Sequence, residues 1–96
     1  MTKIELLTSF YKKTQLKCMT NKQALMMCAI AGLTKDKPDC LGSELKIATA
    51  ESRPTNVIGS MPLFVGVRKE VRQLGGTIHH YFLTDKGKRL VEYLIS

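Results

Sequence analysis

The sequence predicts one α+β domain, mostly α, in which five helices accompany a single β-hairpin. Three observations predict it. Apolar residues recur at helical spacing in several segments, two β-rich runs flank the pair Gly75-Gly76, and 96 residues leave room for one core only. Apolar residues make up 44% of the chain and charged ones 24%, a globular composition that excludes an intrinsically disordered chain.

Residues 3–14 place Ile4, Leu7 and Tyr11 on one stripe with Leu6 and Phe10 beside it, the spacing of an amphipathic helix. Asn21 is the expected N-cap of a second helix that runs to about Ala31 and stops at Gly32. Ala24, Leu25, Met26, Met27, Ala29 and Ile30 make this helix apolar almost all round, so it is expected at the centre, with Cys28 in the core. Thr34 to Asp39 reads as a polar connector. Ser43 and Glu44 open a third, short helix reaching about Glu51, with Leu45, Ile47 and Ala48 inside.

Ser52-Arg53-Pro54 breaks that helix, because a proline keeps its predecessor out of the helical region and is itself welcome in a first helical turn. A fourth helix is expected from about Thr55 to Met61. Val57, Ile58 and Met61 form its inner face, Thr55, Asn56, Gly59 and Ser60 point outward, and Pro62 ends or kinks it. From Leu63 to Gln73 the pattern becomes alternation, with Val65, Val67 and Val71 between Gly66, Arg68, Glu70 and Arg72. After the Gly75-Gly76 turn, Thr77 to Leu83 is β-branched and aromatic. Thr84 then caps a last helix whose apolar stripe is Leu90, Val91, Leu94 and Ile95.

Two short helices across a tight break, followed by a basic two-stranded ribbon, make the pattern of a winged helix-turn-helix. That is a three-helix core plus a β-hairpin wing, here with flanking helices at both termini. Its charge fits a polyanionic partner: 15 Lys and Arg against eight Asp and Glu give +7. Residues 1–35 carry +5, residues 36–52 carry −2, and residues 53–96 carry +4. A helix entering a major groove must show small polar groups so that the backbone can approach, with Asn or Arg to pair with base edges. Asn56 and Ser60 meet that need, while Arg53, Arg68, Lys69 and Arg72 are placed to neutralise phosphates.

The segment Tyr81-Phe82-Leu83-Thr84-Asp85-Lys86-Gly87 resembles the Y-x-L-T-x-K-G strand-to-helix junction of winged helix-turn-helix transcription regulators, MarR-like ones in particular. Met19-Thr20-Asn21-Lys22-Gln23-Ala24-Leu25 resembles the L-T-x-x-Q-x-x-L opening of their central helix, and with Ser43-Glu44-Leu45 the resemblance covers roughly residues 19–94. It implies a homodimer whose terminal helices pair and whose two recognition helices meet successive major grooves of a near-palindromic operator. Thr55, Asn56 and Ser60 would then lie in the recognition helix, with Arg72 and Thr77 flanking the wing tip. The chain departs from the pattern where Pro62 and Gly66 interrupt the helix that precedes the hairpin, and the wing lacks the Asp-x-Arg signature.

Other functions are disfavoured. No Ser/His/Asp order, paired acids or phosphate loop supports an enzyme, and six aromatics scattered over core positions form no stacking platform for single strands. Adjacent His79 and His80 on a strand point to opposite faces, so neither metal nor cofactor is expected. Cys18, Cys28 and Cys40 lie ten and twelve residues apart, which gives no disulfide framework and no CxxC hook. The longest apolar run, Ala24 to Ala31, has eight residues, too few for a membrane span, and Glu5 interrupts the place of a signal-peptide core, so a cytoplasmic protein is expected. The resulting expectation is a sequence-specific duplex-DNA-binding regulator, a repressor acting as a homodimer through Ile4, Leu7, Phe10 and Tyr11 with Leu90, Tyr93, Leu94 and Ile95. The alternatives are a winged-helix module docking on an acidic partner protein and an architectural or replication-associated binder without sequence preference.

Overall fold

The computed structural model describes residues 2–96. They form an α+β structure, about 55% helical, with a small three-stranded antiparallel sheet, an architecture compatible with a winged helix. The elements are α1 (Lys3–Leu16), α2 (Asn21–Leu33), β1 (Cys40–Leu41), α3 (Gly42–Thr49), α4 (Pro54–Gly59), β2 (Val65–Val71), β3 (Thr77–Leu83) and α5 (Asp85–Ile95).

Local chemistry explains most boundaries and moves several of them, among them the end of α4, which falls at Gly59 and not at Met61. Thr2 caps α1 by accepting the Glu5 N–H at 3.2 Å. The cap of α2 is Thr20, whereas Asn21 is its first helical residue. Thr20 Oγ accepts the Gln23 N–H at 3.1 Å and Gln23 Oε1 accepts the Thr20 N–H at 2.9 Å, a reciprocal capping box. Gly32 does not stop α2, which runs on to Leu33 until Thr34 turns its hydroxyl onto the Ile30 carbonyl at 2.7 Å. The helix lies at the centre as expected, with Ala24, Met26, Met27 and Ile30 buried, while Cys28 is only half-buried.

Helix α3 starts where the Glu44 carboxylate accepts the Leu41 N–H at 3.0 Å, and it ends early, at Ala50 with φ 55°. Its inner face is Leu45 and Thr49, one turn apart. Ile47, placed inside by sequence, points about 200° away from Leu45 around the axis and is 85% exposed, and Ala48 is exposed as well. Pro54 opens α4, whose Ile58 joins the core with Met61 behind it.

The hairpin pairs Val65 with Leu83 through Val71 with Thr77. At its tip Gly75 and Gly76 adopt φ near 90°, a conformation that a side chain opposes. Strand β1 pairs Cys40 with Tyr81 and Leu41 with His80, which makes β3 the central strand. This short strand has no sequence signature, because two residues cannot display a period of two.

The junction into α5 ties the layers together. Thr84 Oγ accepts the Gly87 N–H at 3.2 Å and its hydroxyl donates to the Leu63 carbonyl at 2.7 Å, while the Thr84 N–H donates to the Phe64 carbonyl at 3.0 Å. A Cβ on Gly87 would collide with that same Phe64 carbonyl oxygen. Leu90, Val91 and Leu94 complete the core, and no helix among the described residues is long and apolar enough to cross a membrane.

Gly87→Ala is therefore expected to destabilise the fold by about 1–3 kcal/mol, because the obstacle is backbone that cannot rotate away. Gly32→Ala, in open space within α2, is expected to stabilise by about 0.5–1 kcal/mol. Urea unfolding of both variants checks the pair, and equal effects would refute the role of the junction.

Candidate nucleic-acid interface

The break between α3 and α4 turns the outer side of α4 to solvent. Thr55, Asn56, Gly59 and Ser60 are exposed there, and Arg53 is exposed at the cap position. The Ser60 hydroxyl is already engaged: it donates to the Val57 carbonyl at 2.6 Å and accepts from Gln23 Nε2 at 2.9 Å. Ser60 thus ties α4 to the first turn of α2, and an outward base contact would have to break that tie.

Between the openings of α3 and α4 and the hairpin tip runs a groove of about 470 Å³. Thr55, Arg72 and Thr77, three of the residues selected by sequence, line it together with Ser43, His79 and Gly75-Gly76. Asn56, Lys69 and Arg53 lie outside its lining. Ser43 and His79 were missed as site residues. Alternation along β3 puts His79 on the same face as Thr77, and that is the signal that could have found it.

Arg68 was selected as a phosphate contact, but the structure gives it another task. Register places Arg68, Glu70 and His80 on one face of the ribbon and Lys69, Thr77 and His79 on the other. On the first face the Arg68 guanidinium donates through Nε to Asp39 Oδ2 at 3.1 Å, with a second nitrogen also 3.1 Å away. His80 lies between two acids, with Nδ1 3.2 Å from Asp39 Oδ1 and Nε2 3.0 Å from Glu70 Oε2. The two carboxylates stand at opposite ends of the ring. They do not converge, and no group of three metal-binding side chains occurs among the described residues.

Partial burial pushes the Asp39 carboxyl up, but the hydrogen bond and charge of Arg68, aided by His80, outweigh it and hold the group below its ordinary value. Glu44 is also held low, first by the hydrogen bond from Lys37 and then by the Leu41 N–H. Burial pushes the Cys40 thiol up to about 11, reinforced by Glu44, and raises Cys28 too, so both thiols stay protonated at neutral pH. Cys18 is the exposed cysteine.

The consequence for electrostatics is simple. Asp39, Glu44 and Glu51 each face a cation (Arg68, Lys37 and Lys22), and Glu70 faces His80. Among the described residues Arg53, Lys69 and Arg72 enter no ion pair. The surface around α4 and the wing therefore keeps its positive charge although acids lie close by in sequence.

The dimerisation residues divide as well. Leu90 and Leu94 are buried inside the chain's own core, at 8% and 2% exposure, because α5 packs them against α2 and β3; they are not available to a partner. Ile4, Leu7, Tyr11 and Ile95 remain exposed, while Phe10 and Tyr93 are half-buried. Comparison with protein-family models, curated proteins and solved structures gives no match to this chain.

A lowered carboxyl in the folded state means stability that is present above the unfolded pKa of 3.8 and is lost as pH falls through the lower folded value. Asp39→Asn removes that dependence. Chemical unfolding at pH 7 and at pH 3 is expected to show a smaller acid-induced loss for Asp39→Asn than for the natural chain. An unchanged loss would show that the Arg68–Asp39–His80 cluster contributes nothing to folding.

Proposed function

We propose that the protein is a sequence-specific duplex-DNA-binding regulator that represses by occupying its operator as a homodimer. The observation that supports this reading best is the groove where Thr55, Arg72 and Thr77 meet without an acidic side chain in its lining. Helix α4 enters the major groove with its small outer face, Thr55 and Asn56 reading base edges. The Gly75-Gly76 tip lets the hairpin lie along the adjacent backbone, where Arg72 and Lys69 meet phosphates, and Arg53 meets the strand at the start of α4. Arg68 serves the wing from behind by holding it to Asp39.

The partner copy is placed on a cleft of about 310 Å³ whose accessible apolar lining is Leu6, Leu7 and Ile95, beside the half-buried Phe10 and over the buried Leu94. No charged side chain lines this cleft, so two chains of +7 each can meet here with the least repulsion. Covering the cleft removes exposed apolar surface from water, which is the driving force for such a pairing.

Binding to random duplex is expected to fall steeply with salt, and Arg72→Ala should weaken all sequences alike and flatten the salt slope by about one unit. Asn56→Ala should cost about 1–3 kcal/mol on a duplex selected from a random pool and little on the pool itself. Fluorescence anisotropy over a salt series checks both, and absence of binding to any duplex at low salt would refute the reading.

Sedimentation equilibrium at micromolar concentration is expected to give a dimer for the natural chain and a monomer for Leu7→Glu. A natural chain that stays monomeric at that concentration would remove the homodimer from the proposal.

A further inference from the structure

A second surface lies along the other seam between α1 and α5. Two clefts, of about 520 and 360 Å³, open side by side there and share Tyr93 in their lining. The first runs along α1 from Ile4 to Leu16, roughly 18 Å at the helical rise. The second continues past Lys17 to Met19, Phe64 and Leu90. Lys86, Arg89, Leu90 and Tyr93 stand on one face of α5, at the helical spacing of three, four and seven residues.

The chemistry of this seam is mixed in a specific way. Its rim carries Lys12, Lys13, Lys17, Lys86 and Arg89, and only Glu5, at the far end, carries the opposite sign. None of these five cations faces an Asp or Glu side chain among the described residues, although Lys13 Nζ donates to the Ser96 backbone oxygen and to its hydroxyl, the latter at 3.0 Å. Lys17 and Lys13 hang over the Tyr93 ring at 5.0 and 5.5 Å from its centre. The floor is apolar, and two of its residues are strongly exposed: Ile4 at 77% and Leu16 at 74%.

We infer that this seam docks an acidic amphipathic segment of a partner protein, its carboxylates on the five cations and its apolar residues on the floor. A phosphate backbone would satisfy the cations but leave Ile4, Leu16 and Met19 uncovered. A second copy of this chain would bring like charge to the rim, since it carries the same +7 and its Asp39, Glu44 and Glu51 are already paired. Its acids without an ion pair among the described residues, Glu5, Asp36, Asp85 and Glu92, are spread over α1, the connector and α5. The length of the seam, two adjoining clefts joined at Tyr93, suits a peptide better than a compact small molecule. The surface is separate from the α4 groove and meets the uncharged cleft on the other side of α1 only at Ser9, so it stands whether or not the chain binds DNA.

The test uses the full chain and a small library of fluorescein-labelled dodecapeptides containing Asp, Glu, Leu and Phe in varied order, read by anisotropy. Counterparts with Lys in place of the acids, and with Ser in place of the apolar residues, serve as controls. At least one acidic amphipathic member should bind, and the double variant Lys86→Glu, Arg89→Glu should weaken it by about tenfold or more. Tyr93→Ala should weaken it severalfold, while Arg72→Ala should leave it unchanged. The inference is overturned if no member binds better than its controls, or if the double variant binds as the natural chain does. It is equally overturned if random duplex DNA displaces the peptide and itself depends on Lys86 and Arg89, which would make the seam a phosphate surface.

Discussion

The structure depends on the anchoring of the Leu63–Phe64 backbone to Thr84 and Gly87. Two carbonyls of an otherwise irregular segment find donors on a single threonine, its hydroxyl and its N–H, and the missing side chain of Gly87 lets α5 settle against the Phe64 carbonyl. That contact closes the base of the hairpin onto the last helix. It also fixes the chain between α4 and β2, so the position of the wing relative to α4 is set at the junction. Together with the pairing of β1 to β3, it holds the two walls of the groove lined by Thr55, Arg72 and Thr77.

Charge pairing divides the surface in a way that net charge does not describe. Asp39 of the connector, Glu44 of α3 and Glu51 just beyond it are taken up by Arg68, Lys37 and Lys22, and the two carboxylates around His80 knit β1, β2 and β3 together on the back of the ribbon. These are surface and half-buried pairs, each worth little to stability alone. Their larger effect is on the field, since they offset three acids of the negative segment locally and leave Arg53, Lys69 and Arg72 without an ion-pair partner among the described residues around α4 and the hairpin.

Helix α1 is the least embedded element. Thr14 and Phe10 hold it to the rest, while Ile4, Leu6, Leu7 and Leu16 stay largely in water. Its two sides differ chemically, one uncharged and one rimmed by lysines, because Leu6, Leu7 and Phe10 fall on one side of the axis and Lys12 and Leu16 on the other, with Ser9 and Lys13 at the border. An amphipathic helix normally has one apolar side turned to the core. Here the apolar residues exceed what the core can accept, and the surplus forms two seams against α5.

What the sequence determined by itself was most of what near neighbours govern, apart from the Thr20 cap and the Leu33 end of α2 and the early end of α3. The five helices and the hairpin follow from apolar spacing, the break at Pro54 from the geometry of proline, the tip from Gly75-Gly76, and the start of α5 from Thr84. The small outer face of α4 was legible for the same reason, as a helix shows its two sides in its spacing. Tertiary structure decided the rest, because those questions turn on partners distant in the chain. A two-residue strand exists only because β3 offers it hydrogen bonds, and Ile47 is exposed because α3 turns only Leu45 and Thr49 inward. Arg68 serves Asp39 because register places them on one face, and Leu90 and Leu94 belong to the core because α2 and β3 reach them first. Ser43 and His79 came to line the groove in the same manner, when folding brought the opening of α3 beside the hairpin tip.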